Sequence, residues 1–252
     1  IIYREFYKEW SASDDADIEI LEESENTVVS DNYNVPLLKK DVENDLGILQ
    51  DLLNDANSIN RYNSPKLAAL IETLVEILDQ AEQDGIDLED TAQKRKILIF
   101  SYYEQTVDWI EEYLNEMIEK DDRLSHYKSR LVSVSGKTSR NNVSKSEAIS
   151  GFAPISTKAM PPHDKDKFDI MIATDVLAEG MNLQQCRNVI NFDLPWNPMR
   201  LIQRHGRIDR IGSPYDDVYM RTFFPDDRLD DLLSLEGRVR TKLAQAAASV
   251  GV

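Results

Sequence analysis

A chain of 252 residues with 41% apolar residues has material for one large or two small domains and for an ample core. Its formal charge of -17 argues at first against a nucleic-acid partner, and no apolar run long enough for a membrane span occurs. The single cysteine, Cys186, excludes an internal disulfide and has no neighbouring zinc ligands, so a reducing, cytoplasmic setting is expected. The charge is not evenly spread. Residues 1–93 hold 6 Lys+Arg against 23 Asp+Glu, whereas residues 94–252 hold 23 of each. The acidic third is unsuited to a phosphate backbone, while the neutral remainder is free to present a basic edge. The start at Ile1, without Met or a charged-then-apolar leader, predicts an excerpt of a longer protein, divided into an acidic helical or linker segment (1–93) and a lobe (94–252).

In chain order, residues 11–35 read as an acidic linker, with Asp14-Asp15, Glu22-Glu23 and Glu25. Apolar residues then recur at helical spacing from Asp41 to Ile59 and again from Ser64, where Ser64 and Pro65 form a start signal. A strand is predicted at 97–101, followed by a helix through Val107, Ile110, Leu114 and Ile118 in which Trp109 and Tyr113 are packing residues. A short strand at 131–134, a helix at 143–152 and a proline-containing surface loop at 153–167 come next. Apolar runs at 168–173 and 188–193, an arginine-rich helix beginning near Pro198, a strand at 218–224 and a helix at 229–248 complete the pattern. Strands alternating with helices give an α/β fold with a parallel sheet flanked by helices. Ligands bind at the carboxyl ends of such strands, which places Ser101, Ser135, Thr174 and Asp193 on one rim.

The segment Gln203-Arg204-His205-Gly206-Arg207-Ile208-Asp209-Arg210, with Arg200 upstream, points to a phosphate. Continued as a helix, it sets Gln203, Arg207 and Arg210 within roughly 60 degrees of one another, and turns Arg204 and His205 elsewhere. Two planar guanidiniums on one face suit a multiply charged triphosphate. An exposed basic turn is the plainer alternative for these residues alone. The rest of a nucleotide site is missing. The only Gly-Lys-Thr, Gly136-Lys137-Thr138, has Leu131 where a phosphate loop needs glycine, and no acidic box for magnesium follows an apolar strand. The chain is therefore expected to be half of an ATPase.

The run from Ala173 to Gly212 resembles motifs V and VI of the second RecA-like lobe of superfamily 2 helicases and translocases, closest to the Snf2 group and its RapA-like members. Lys96–Tyr102 resembles the strand that opens this lobe, and Ser135-Gly136-Lys137-Thr138 with Arg140 resembles the family's Gly-x-Thr segment. The resemblance covers roughly residues 94 to 248, with four segments in the family's order. It departs from the Snf2 pattern at Ser213, where Gln is common, and in the long interval between Phe152 and Phe168.

The resemblance implies a RecA-like sheet. It also implies that Arg207 and Arg210 are arginine fingers for ATP, that Gln203 couples this site to the track, and that Gly180 and Asn182 approach the nucleotide. Ser101, Thr138 and Thr174 would hold nucleic-acid phosphates, and Mg2+ would be held by a first lobe outside this chain. The implied function is an ATP-driven translocase or helicase on nucleic acid, with double-stranded DNA suggested by Asp193-Leu194-Pro195-Trp196-Asn197-Pro198. The alternative is a non-catalytic binding module whose acidic third recruits a basic partner. Intact Gln203, Arg207 and Arg210 weigh against it.

Overall fold

Among the described residues, five apolar runs become one parallel sheet: β1 (Ile97–Ser101), β2 (Leu131–Val134), β3 (Ile170–Thr174), β4 (Asn188–Asn191) and β5 (Tyr219–Thr222). The spatial order is β2-β3-β1-β4-β5. The structure, a computed structural model, describes residues 34–134, 143–161, 165–175, 182–195, 197, 199–210, 212–224, 237 and 241. β1 pairs with β3 from Ile97↔Ile170 to Ser101↔Thr174, and with β4 from Ile97↔Asn188 to Phe100↔Asn191. Strands β1 to β4 are buried along their whole length, as a parallel sheet covered on both faces requires.

The two-residue period of a strand divides these side chains between two cores. Ile97, Ile99, Ile170, Ile172 and Ile190 enter one, and Leu98, Phe100, Met171, Ala173 and Val189 enter the other. Helix α1 (Val35–Ser58) forms at the first amphipathic run, with the Asn34 side chain accepting from the Leu37 N–H at 3.2 Å and a proline in the first turn. Helix α2 (Pro65–Asp84) starts at the expected signal, with the Ser64 hydroxyl accepting from the Leu67 N–H at 3.4 Å. Its Leu67, Leu70, Ile71, Leu74, Ile77 and Leu78 recur at helical spacing and all enter the first core. A short helix α3 (Leu88–Lys94), capped by the Asp87 side chain, then leads into β1.

Helix α4 (Glu104–Lys120) adds Val107, Ile110, Leu114 and Ile118 to the first core. A 3-10 helix (Asp122–Tyr127) links α4 to β2. Helix α5 (Lys145–Phe152), capped by Ser144, buries Ala148 and Phe152 in the second core. Helix α6 (Met199–His205) carries the start of the arginine segment. The acidic stretch up to residue 33, the Gly-x-Thr segment and, apart from the helical residues Gly237 and Thr241, the predicted helix at 229–248 lie outside the described residues.

At the amino end of the sheet, buried Asp169 accepts from Arg95 Nε at 2.8 Å and from Arg130 Nε at 2.7 Å, while Lys96 Nζ reaches Asp166 at 2.8 Å and the Phe168 carbonyl at 2.7 Å. Burial alone would raise the Asp169 carboxyl, but the Arg130 hydrogen bond and the charges of Lys96 and Arg95 hold it below its usual range. This network ties β1 and β3 together at the end away from the rim. At the other end the chain changes direction across the sheet beside β1. It passes from β1 to β2 and back to β3 on one side, then crosses to β4 and β5 on the other. A crevice at such a reversal is where open α/β sheets hold ligands.

The chain divides into two compact units, residues 1–59 and 60–252. The boundary expected at residue 93 therefore moves forward of α2, because that helix shares its apolar face with the sheet. Six buried Leu and Ile side chains at about 1.5–3 kcal/mol each rival the whole stability of a domain, about 5–15 kcal/mol. A fragment of residues 60–252 is expected to melt cooperatively by circular dichroism, whereas a fragment of residues 94–252 shows no cooperative transition. A sharp transition in the shorter fragment would refute the placement of α2 in the lobe's core.

Candidate nucleotide and nucleic-acid site

The carboxyl rim of the sheet is organised around one buried guanidinium. Arg204, on α6, has a side chain 2% exposed. Its Nε donates to Asp175 Oδ1 at 2.5 Å and its Nη2 to Asp175 Oδ2 at 3.1 Å, the two-point geometry that a planar guanidinium makes with a carboxylate. Nη1 donates to Asn191 Oδ1 at 3.1 Å and to the Asp193 carbonyl at 3.2 Å, and the guanidinium lies 5.2 Å from the centroid of the Phe100 ring. Asp175 follows the last residue of β3, Asn191 ends β4 and Phe100 belongs to β1. One side chain thus gathers three strand ends under α6.

The neighbouring contacts extend the same frame. Ser101 is fully buried and its hydroxyl donates to Asp193 Oδ2 at 2.5 Å, where the Tyr102 N–H also donates at 2.7 Å. Thr174, 5% exposed, lies opposite Ser101 in the register. The hydroxyl proton of Ser101 is thus given to Asp193, so this residue braces the rim. Asn191 Nδ2 lies 3.4 Å from His205 Nε2 and donates to Thr222 Oγ1 at 3.1 Å. Burial, reinforced by the positive charge of Arg204, lowers the His205 imidazole to about 4, so it is neutral at physiological pH and accepts through Nε2.

The arginine segment differs from the helix expected. Helix α6 ends at His205, and the next residues tighten into i→i+3 bonds, Arg207 N–H to the Arg204 carbonyl at 3.1 Å and Ile208 N–H to the His205 carbonyl at 3.0 Å. Gly206, a poor helix former, follows the last helical residue, and Ile208 beyond it is fully buried in the second core. Gln203, Arg207 and Arg210 therefore do not share one helical face. Gln203 is exposed on α6, Arg207 is half-buried in the turn, and Arg210 is exposed beyond it, its Nε donating to the Gly206 carbonyl at 2.6 Å.

What joins these residues is the segment after β3. The Leu183 N–H donates to the Arg207 carbonyl at 3.0 Å, and Gln184 Nε2 donates to the Arg210 carbonyl at 3.0 Å. Asn182, half-buried, accepts from the Gln184 N–H at 3.2 Å and borders an open cleft with Gln93, Gln185, Gly212 and Tyr215. Asn182, Arg207 and Arg210 are thus brought together, and Ser101 and Thr174 form a second pair on the rim. Gly180, Thr138, Trp196 and Pro198 lie outside the described residues. Among the described residues, no cluster of three His, Cys, Asp or Glu could hold a metal ion, and no helix is long and apolar enough to cross a membrane.

The family model described as "Helicase conserved C-terminal domain" matches residues 69–212, more than half of the chain. The chain belongs to that family. The match starts within α2, in agreement with the structural place of that helix. This helicase C-terminal domain is 35% identical over 154 residues to "Uncharacterized ATP-dependent helicase YqhH" of Bacillus subtilis (strain 168), a match covering 59% of this chain and 27% of that protein. It is 37% identical over 76 residues to "ATP-dependent RNA helicase DBP8" of Phaeosphaeria nodorum, covering 30% of this chain and 14% of the relative. The chain therefore spans 27% and 14% of the length of these two relatives. Among solved structures, the C-terminal part of the Fun30 ATPase domain aligns with a TM-score of 0.46 at 22% identity, covering 81% of this chain and 58% of that one.

Sequence reasoning did not find Asp175 or Asn191 as partners of Arg204. Asp175 follows β3 and Arg204 lies on α6, so only the tertiary arrangement brings them together. Removing one member of a buried, hydrogen-bonded ion pair leaves the other charge unsatisfied, at a cost of about 3–5 kcal/mol. Arg204→Met is thus expected to lower stability by that amount in urea denaturation, and a loss below about 1 kcal/mol would contradict the clamp. His205 generates a pH dependence. Its folded value, about 4, lies below the ordinary 6.5, so the unfolded chain binds the extra proton first. Stability from this residue is complete above pH 6.5 and declines as pH falls toward 4, and His205→Asn should flatten the melting temperature across that window.

Proposed function

We propose that this helicase C-terminal domain is the second RecA-like lobe of an ATP-driven translocase or helicase of the Snf2/RapA-like group, with double-stranded DNA as its track. The observation that carries the reading is the fusion of two functional edges into one body. The segment after β3 is bonded to the main chain of Arg207 and Arg210, while β3 itself ends at Thr174 and the Asp175–Arg204 clamp. A lobe so built cannot shift its arginines toward a nucleotide without moving the rim that would face the nucleic acid.

In this reading Arg207 and Arg210 meet the triphosphate, and their fixed positive charge offsets the charge that develops on the transferred phosphoryl group. Gln203 lies on the same helix as Arg204 and couples the two edges, and Asn182 and Gly180 line the approach to the nucleotide. Thr174 and Thr138 supply hydroxyl donors to backbone phosphates, and Ser101 acts through the rim that it braces. Bound ATP supplies the free energy of closure and hydrolysis, and Mg2+ belongs to the first lobe. The double-stranded track follows from the Snf2-like segment at Asp193–Pro198. One of the relatives is named an RNA helicase, so an RNA comparison belongs in the test.

The decisive experiment is ATP hydrolysis by the full-length protein with duplex DNA, single-stranded DNA and RNA, beside Arg210→Ala and Arg207→Ala. Stimulation by duplex DNA is expected, with each variant lowering kcat by about 10³-fold or more while changing KM for ATP little. Equal losses in kcat and ATP binding would mean that these arginines only hold the ground state, and no hydrolysis with any nucleic acid would refute the motor. The isolated 252-residue chain is expected to hydrolyse ATP negligibly.

A further inference from the structure

All five residues of β1 are buried, yet the two that follow are exposed tyrosines, Tyr102 at 45% and Tyr103 at 58%. Among the tyrosines of the lobe, Tyr127 is completely buried and Tyr113 nearly so, whereas Tyr62 is exposed like this pair. The exposed pair is nevertheless held in place. The two rings meet edge to face with centroids 4.9 Å apart and planes at 80°. The guanidinium of Arg200 lies 5.1 Å from the Tyr102 centroid and is fixed from behind by Asp175 at 3.2 Å. The Tyr102 main chain is bonded to Asp193 at 2.7 Å. Strand end, ring edge and guanidinium are thus set before any ligand arrives, so little conformational entropy is left to lose on binding.

The surroundings narrow the ligand. The rings stand next to Ser101 and beside the clamp that holds the end of β3, on the rim assigned above to a phosphate backbone. Arg200 keeps its side chain 40% exposed within that patch. Flat aromatic faces beside a cation, along a backbone path, are the composition that holds bases by stacking, without reading their identity. Two ring faces are also far too small for a stable protein interface, which buries about 1,200 Å² or more.

We propose that Tyr102 and Tyr103, steadied by Arg200, form a stacking platform for an unpaired base of the nucleic-acid track, at a gap, an end or a locally opened stretch of duplex. The proposal rests on the reading of the lobe as part of a nucleic-acid motor and adds to it a contact with the base. A paired base keeps its faces inside the helical stack, so the platform discriminates the state of the track and not its sequence.

The test is fluorescence anisotropy with the full-length protein and three labelled DNAs: a fully paired duplex, a duplex with a short single-stranded gap, and the same gap built from abasic sugars. Wild type is expected to bind the gap with bases about ten-fold more tightly than the abasic gap. The double variant Tyr102→Ala, Tyr103→Ala should lose that preference and keep its affinity for the paired duplex within about two-fold, while Tyr102→Phe retains the preference. Equal affinity of wild type for the two gaps, or an equal loss by the double variant on all three DNAs, overturns the platform alone. Failure of wild type to bind any of the three overturns the motor reading and the platform with it. The wild-type comparison stands even if the double variant fails to fold.

Discussion

The arrangement of the rim depends on how one positive charge is kept out of water. A guanidinium in the interior is costly unless its donors are matched by acceptors, and Arg204 finds them on Asp175, Asn191 and the Asp193 carbonyl. Those acceptors come from the ends of two strands and the loop after one of them, so satisfying one side chain fixes the mutual position of β3, β4 and α6. The Phe100 ring beneath it adds β1. The sheet would form without this contact, since its cores are apolar. The rim would not be held in one arrangement.

Function, in the reading proposed, exploits that rigidity. Asp175 holds Arg204 and Arg200 together, and Asp193 takes both the Ser101 hydroxyl and the Tyr102 amide. The contacts suited to nucleic acid and those suited to a nucleotide are therefore separated by a few hydrogen bonds and share a carboxylate. A neutral His205 beside Asn191 avoids placing a second positive charge against Arg204. The same economy explains why the segment is so rich in arginine. One member is structural, and the others stay at or near the surface.

Much of the scaffold was legible before the structure. The strands at 97–101 and 131–134 and the helix starting at Ser64 stand where apolar period and capping chemistry put them, because those signals are local. The family was legible through the order of its segments. The boundary at residue 93 was misplaced, since charge describes the exposed face of α2 and says nothing of what its leucines cover. The single helical face for Gln203, Arg207 and Arg210 does not form because the helix ends at His205, next to Gly206, whose helix propensity is low.

By itself, the sequence determined the α/β class and the family. Each follows from periodicity or from residue chemistry that survives without knowledge of neighbours. The tertiary structure alone decided which arginine of the segment is buried, which carboxylate holds it, which hydroxyl is already bonded and that Tyr102 and Tyr103 remain exposed beside Arg200. Those facts depend on strand order, and the order β2-β3-β1-β4-β5 brings together residues 175, 191 and 204 that no local pattern connects.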